Sequence, residues 1–227
     1  MIARGVRTFI DNFDRAQAYT TTPGMNGWTI KDASSGGAPT YLNITEDGGA
    51  AALTIASTDE AEVVTLYQND VLIYDVRQLQ HVWWIAKVAA IDVKTTLVFG
   101  VGSAQNDIAD SVATNAWFRM QGSASTTAVL CETDDAVTDN DDKATGETLA
   151  AVYKKFLIDF TNGLADVRFY MDGKRVATST TFDMSGLSAG LNVQPFVQIQ
   201  KAATTSTGVP AITLAQFGVQ YEYAYGA

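Results

Sequence analysis

Apolar side chains recur at every second position along most of the chain, in runs of five to eight residues separated by turn-forming clusters. Phe156, Ile158 and Phe160 alternate with Leu157 and Asp159; Val167, Phe169 and Met171 alternate with Arg168, Tyr170 and Asp172. A period of two sends successive side chains to opposite faces, so each run predicts a strand with one buried face. Asp172-Gly173 is a favoured two-residue turn, because both positions need positive φ. Residues 174–179 can therefore return antiparallel. Trp28-Thr29-Ile30-Lys31 follows the turn pairs Pro23-Gly24 and Asn26-Gly27, and the runs at 41–44 and 51–55 flank the hairpin signal Glu46-Asp47-Gly48-Gly49. Further strands are predicted at 62–68, 96–102, 116–121, 128–132 and 195–200.

Two runs depart from simple alternation. At 79–88, Val82, Trp84, Ala86 and Val88 share one face while Trp83 and Ile85 occupy the other. Apolar groups on both faces predict a central strand, or one covered from outside. At 217–225, Phe217, Val219, Tyr221, Tyr223 and Tyr225 share a face opposite Gln220 and Glu222. Short helices are expected only near 108–112 and 149–153. Strands without intervening helices mean two packed antiparallel sheets. No repeat or long linker divides residues 1–227, so one domain is expected, with 1–8 as an N-terminal arm that orders on a partner.

Composition adds bounds. A hydrophobic share of 47% supplies a full core. The net charge of −10 and the absence of clustered Lys and Arg argue against nucleic acid and against anionic membranes as partners. Cys131 is the single cysteine, which excludes an internal disulfide, and it is expected to pack in a strand. Residues 1–14 lack the apolar segment of a secretory signal. The most apolar stretch, 82–91, is interrupted by Lys87 and is too short to span a bilayer.

Candidate chemistry is sparse. His81 is the sole histidine, so neither a zinc site nor a nucleophile with its base is supported. Asp134, Asp135, Asp139, Asp141 and Asp142 lack calcium-loop order and read as a solvated, mobile acidic loop. Gly100-Val101-Gly102 has Gln105 where a phosphate loop would place a third glycine. No metal and no cofactor are expected.

The cadence of Phe156-Leu157-Ile158-Asp159-Phe160, then Val167 through Asp172-Gly173, then Pro195-Phe196-Val197-Gln198-Ile199 and residues 217–223, resembles the concanavalin A or laminin-G type of jelly roll. The opening Phe9-Ile10-Asp11-Asn12-Phe13-Asp14, with Gly27-Trp28 after it and Val98-Phe99-Gly100-Val101-Gly102 later, resembles such domains in tailed-phage virion proteins. The resemblance implies an all-β, two-sheet antiparallel jelly-roll sandwich. Most similar in kind are capsid decoration (cement) proteins of bacteriophages. That implies a structural protein of the virion surface, made in the host cytoplasm, with the major capsid protein and itself as partners, as a homo-oligomer with a trimer preferred.

Many jelly rolls are glycoside hydrolases, which need paired carboxylates. The laminarinase-like families carry Glu-x-Asp followed closely by Glu on one strand. Here Glu60 and Glu62 are followed by Val64 and Thr65 instead. The expectation is therefore a protein that is not an enzyme. The alternative is a carbohydrate-binding, lectin-like module, for example on a phage tail, with glycan stacked on exposed aromatics. Trp83, Trp84, Tyr221, Tyr223 and Tyr225 are the candidate partner-binding residues; Trp28 and Trp117 are further candidates for stacking.

Overall fold

The alternating runs do become strands. The computed structural model describes residues 4–88, 91–186, 192–203 and 210–224. In chain order the strands are β1 (Arg4–Asp11), β2 (Thr29–Asp32), β3 (Thr40–Ile44), β4 (Ala50–Thr54), β5 (Glu62–Tyr67), β6 (Tyr74–Asp75), β7 (Leu79–Val88) and β8 (Thr95–Gly102). They continue with β9 (Asn115–Gln121), β10 (Ala128–Asp134), β11 (Asp139–Thr148), β12 (Ala150–Asp159), β13 (Arg168–Met171), β14 (Lys174–Val176), β15 (Asn192–Lys201) and β16 (Ala211–Ala224).

They form two antiparallel sheets. The first runs β14-β13-β12-β7-β16-β4-β3, with β1 also pairing β16. The second runs β11-β10-β9-β8-β15-β5-β2, with β6 also pairing β15. Phe156 and Ile158 of β12, Val82 and Trp84 of β7, and Phe217 and Val219 of β16 point inward from the first sheet. They meet Leu97, Phe99, Phe118 and Val197 of the second. Aromatic pairs fill the gap: Trp84 and Phe217 lie 4.6 Å apart by ring centroid, Phe99 and Phe156 4.8 Å. Large rings bury much area each, so few of them dominate such a core. This is the two-sheet sandwich that the periodicity predicts.

Three local expectations are corrected. Residues 4–8 are no free arm: they belong to β1, whose ladder runs in register from Arg4 opposite Ala224 to Asp11 opposite Phe217. Backbone pairing with β16 holds them despite their weak apolar pattern. The helix expected at 149–153 is instead the start of β12, and that at 108–112 shrinks to a 3-10 turn, Ala109–Ser111. The acidic residues expected in a mobile loop form the β10–β11 hairpin. The Asp135 carboxylate, itself buried, accepts the N–H of Val137 at 2.9 Å and of Gly186 at 2.7 Å. A charge taken out of water is stabilised by such donors, and here it pins the turn.

The outward faces of the two sheets differ. That of the first sheet is open. On the second, residues 103–114 cross over, and Ala109 and Val112 pack on Tyr67, Val98, Trp117 and Phe196 as a small second core. Each large side chain so covered contributes roughly 1.5–3 kcal/mol.

Candidate functional site

Beneath that crossing segment lies a cluster of buried polar groups. The ladder between β9 and β10 sets Leu130 opposite Arg119 and Glu132 opposite Trp117, all four pointing away from the inter-sheet core. Arg119 is 3% exposed and Glu132 1%. Arg119 Nη1 donates to Glu132 Oε2 at 2.8 Å and also to Asp110 of the crossing segment. Its Nε lies 3.2 Å from Asp142 on β11. Asn115 donates to the second oxygen of Glu132 at 3.4 Å.

The electrostatics are asymmetric. Burial pushes the Glu132 carboxyl up, and the charge and hydrogen bond of Arg119 only partly oppose this, leaving it at about 7. Burial disfavours the Arg119 cation, but its bond to Asp110 and the charge of Glu132 outweigh that and raise its pKa. Asp139 on the neighbouring strand is raised to about 6, first by burial and then by Asp141. A carboxyl that keeps its proton near neutrality can donate it, which is the property of a general acid. Among the described residues no three His, Cys, Asp or Glu side chains are grouped to hold a metal ion.

The crossing segment is tied at its other end by hydrogen bonds to the same sheet. Gln198 donates to Asn106 O at 2.7 Å, Gln105 N to Asp70 at 2.7 Å, and Lys31 to Gln105 Oε1 at 2.9 Å. Two side-chain oxygens under it, Gln198 Oε1 and Asn115 Oδ1, are buried without a hydrogen-bond partner. An unpaired buried acceptor is costly, of order 1–3 kcal/mol, unless a ligand or water meets it. Alongside, the face opens into a cleft of about 280 Å³ lined by Val63, Lys94, Thr96, Asp107, Ile108 and Gln200.

The residues singled out from sequence lie elsewhere. Trp83 sits on the outer face of the first sheet. Trp84 is fully buried between the sheets, its N–H on Gly100 O at 3.2 Å, and so is not available to a partner. Tyr221 packs against Tyr74 at 5.4 Å, and Arg7 stands over the Tyr223 ring at 4.1 Å. Tyr225 lies outside the described residues. Trp28 and Trp117 are fully buried as well. Glu60 precedes β5 and shares no strand with Glu62, which is fully buried in an ion pair with Lys201. His81 Nδ1 bonds Gln220 at 2.8 Å. The Cys131 thiol is buried in the core, which pushes its pKa up. Arg119 and Glu132 were missed. The available signal was a charge in mid-strand: Arg within Ala-Trp-Phe-Arg-Met and Glu after Leu-Cys, where a buried charge must find a partner.

No protein-family model and no curated protein matches the sequence. The fold does match solved structures. A protein of unknown function from Shewanella oneidensis MR-1 aligns with 99% of this chain and 89% of its own, at TM-score 0.60 and 8% identity. A glycoside hydrolase family 16 endo-glucanase from Bacteroides ovatus aligns with 93% of this chain and 99% of its own, at 0.63 and 10%. The carbohydrate recognition domain of Emp46p aligns with 93% and 94%, at 0.57 and 9%. The protein thus has the concanavalin A-like jelly-roll fold. Identities this low carry the fold alone.

These neighbours correct one expectation. The expectation that the protein is not an enzyme is not upheld: glucanases stand among the solved structures built on this sandwich. The missing Glu-x-Asp run near Glu60 therefore does not by itself exclude an enzyme. Nothing among these neighbours bears on a phage particle.

Proposed function

We propose that the protein is a carbohydrate-recognising jelly roll that holds a glycan on the outer face of its second sheet, along the cleft beside residues 103–114. One observation carries this: an open cleft lined by Lys94, Thr96, Asp107 and Gln200 lies on the same outward sheet face that buries Gln198 Oε1 without a hydrogen-bond partner. Sugars offer dense hydroxyl donors and acceptors, and such groups are what they bond. Carbohydrate recognition domains and glucanases on the same fold support the substrate class.

The test is a glycan array followed by calorimetry with the best neutral oligosaccharide. Thr96→Ala with Gln200→Ala should weaken binding at least about tenfold, the loss of one or two hydrogen bonds. Absence of binding to every neutral glycan sinks the proposal. Incubation with the bound polysaccharide and assay of new reducing ends tests whether the protein also hydrolyses what it holds.

A second reading, decoration of a phage capsid as a homo-oligomer, draws on the exposed apolar residues Val6, Ile10 and Leu42 on the first sheet. Sedimentation of the protein with undecorated shells is its test; a monomer that ignores them discards it.

A further inference from the structure

The outer face of the first sheet carries a different arrangement. Strand registers line up Tyr170, Leu157, Trp83, Gly218 and Ile10 as one row across β13, β12, β7, β16 and β1. Gly218 is what lets the row lie flat: a Cβ there would stand 2.0 Å from Trp83 Cζ2, so the indole lies down across β16. The Trp83 N–H donates to Gln216 Oε1 at 2.7 Å, and Gln216 donates onward to Asn12 at 2.8 Å. The ring is fixed before any ligand arrives, which lowers the entropy cost of stacking on it.

Beside the ring is a pocket of about 260 Å³ lined by His81, Trp83, Lys155, Leu157 and Gln220. Lys155 Nζ stands 5.6 Å from the indole centroid. Among the described residues it forms no ion pair, whereas its neighbours do: Arg168 pairs with Asp166 at 2.6 Å and Lys154 approaches Asp172 at 3.8 Å. An apolar ring face and an ammonium held over it without an ion pair among the described residues therefore border one hole, with the polar His81 and Gln220 on its rim.

We propose that this pocket is a second saccharide site, selective for an acidic sugar. The apolar face of a uronate ring lies on Trp83 and its carboxylate bonds Lys155. Lys155 is solvent-exposed, so its contact with the carboxylate is a short-range pair that salt screens. This site is on the opposite sheet from the cleft beside residues 103–114 and stands independently of it.

The experiment titrates the full protein with trigalacturonate and with cellotriose, followed by indole fluorescence and calorimetry. Trigalacturonate is expected to bind and to weaken as salt is raised. Lys155→Gln should reduce its affinity at least about tenfold, the worth of one charge-assisted bond, while Thr96→Ala with Gln200→Ala leaves it unchanged. Trp83→Leu should remove binding; because that ring also packs on Gly218, the Lys155 variant decides if Trp83→Leu fails to fold. No binding of trigalacturonate, equal binding of cellotriose, or indifference to Lys155→Gln overturns the proposal without touching the cleft on the second sheet.

Discussion

Glu62 and Lys201 face each other across β5 and β15 with Oε1 and Nζ 3.0 Å apart, and neither side chain is exposed at all. Lys201 also donates to the carbonyls of Ala56 and Thr58, and Glu62 accepts the Ala56 N–H. The pair thus fastens the segment before β5 to the end of the core. Removing one member strands the other without water. Lys201→Met should cost roughly 3–5 kcal/mol in urea unfolding, and Glu62→Leu with Lys201→Met should recover much of that.

Glu132 predicts a pH dependence. Its folded pKa of about 7 lies above the ordinary glutamate value, so between those two values the folded state holds more protons than the unfolded. Its contribution is therefore greatest below the ordinary value and is lost as pH rises through 7. Asp139, raised to about 6, acts with the same sign. The melting temperature should fall from pH 5 to pH 8, and Glu132→Gln should remove most of that slope. A flat profile in the unaltered protein, or a slope undiminished by Glu132→Gln, contradicts the assignment.

Two adjacent tryptophans should differ sharply. Trp84 is fully buried among Trp28 and Phe217, so Trp84→Ala should cost about 3–5 kcal/mol. Trp83 lies on the open face, and Trp83→Ala should cost roughly 1 kcal/mol. Denaturant midpoints of the two variants check this.

Gly218→Ala should lift the Trp83 ring from β16. Overpacking of this kind costs about 1–3 kcal/mol, and the released indole should show red-shifted emission.

Much of the sandwich was legible because buried faces impose alternation, as at Phe156-Ile158-Phe160 and Val82-Trp84-Ala86. The failures share a cause. β1 and β11 are held by backbone ladders and carry few inward apolar groups, so Arg7-Thr8 and Asp139-Asn140-Asp141-Asp142 looked like tail and loop. Tryptophan pairs cannot be sorted into inside and outside without knowing which sheet each face meets. The polar cluster was illegible for a different reason. Arg119 and Glu132 meet only through the β9–β10 register, Asp110 joins them from a loop, and outward-pointing polar residues ordinarily mean solvent.

Strand order has a consequence for how the chain matures on the ribosome. β15 lies between β8 and β5, and β16 lies between β7 and β4, so in each sheet an interior strand that joins two groups of earlier strands is made last. Until both emerge, each sheet is two separate ribbons with bare hydrogen-bonding edges and uncovered aromatic faces. Neither ribbon can close over its partner early, and the nascent chain must wait, exposed, for pairings that span most of its length. A chain halted before residue 192 should therefore collect holding chaperones and aggregate when released, while the same chain extended through residue 224 should escape them.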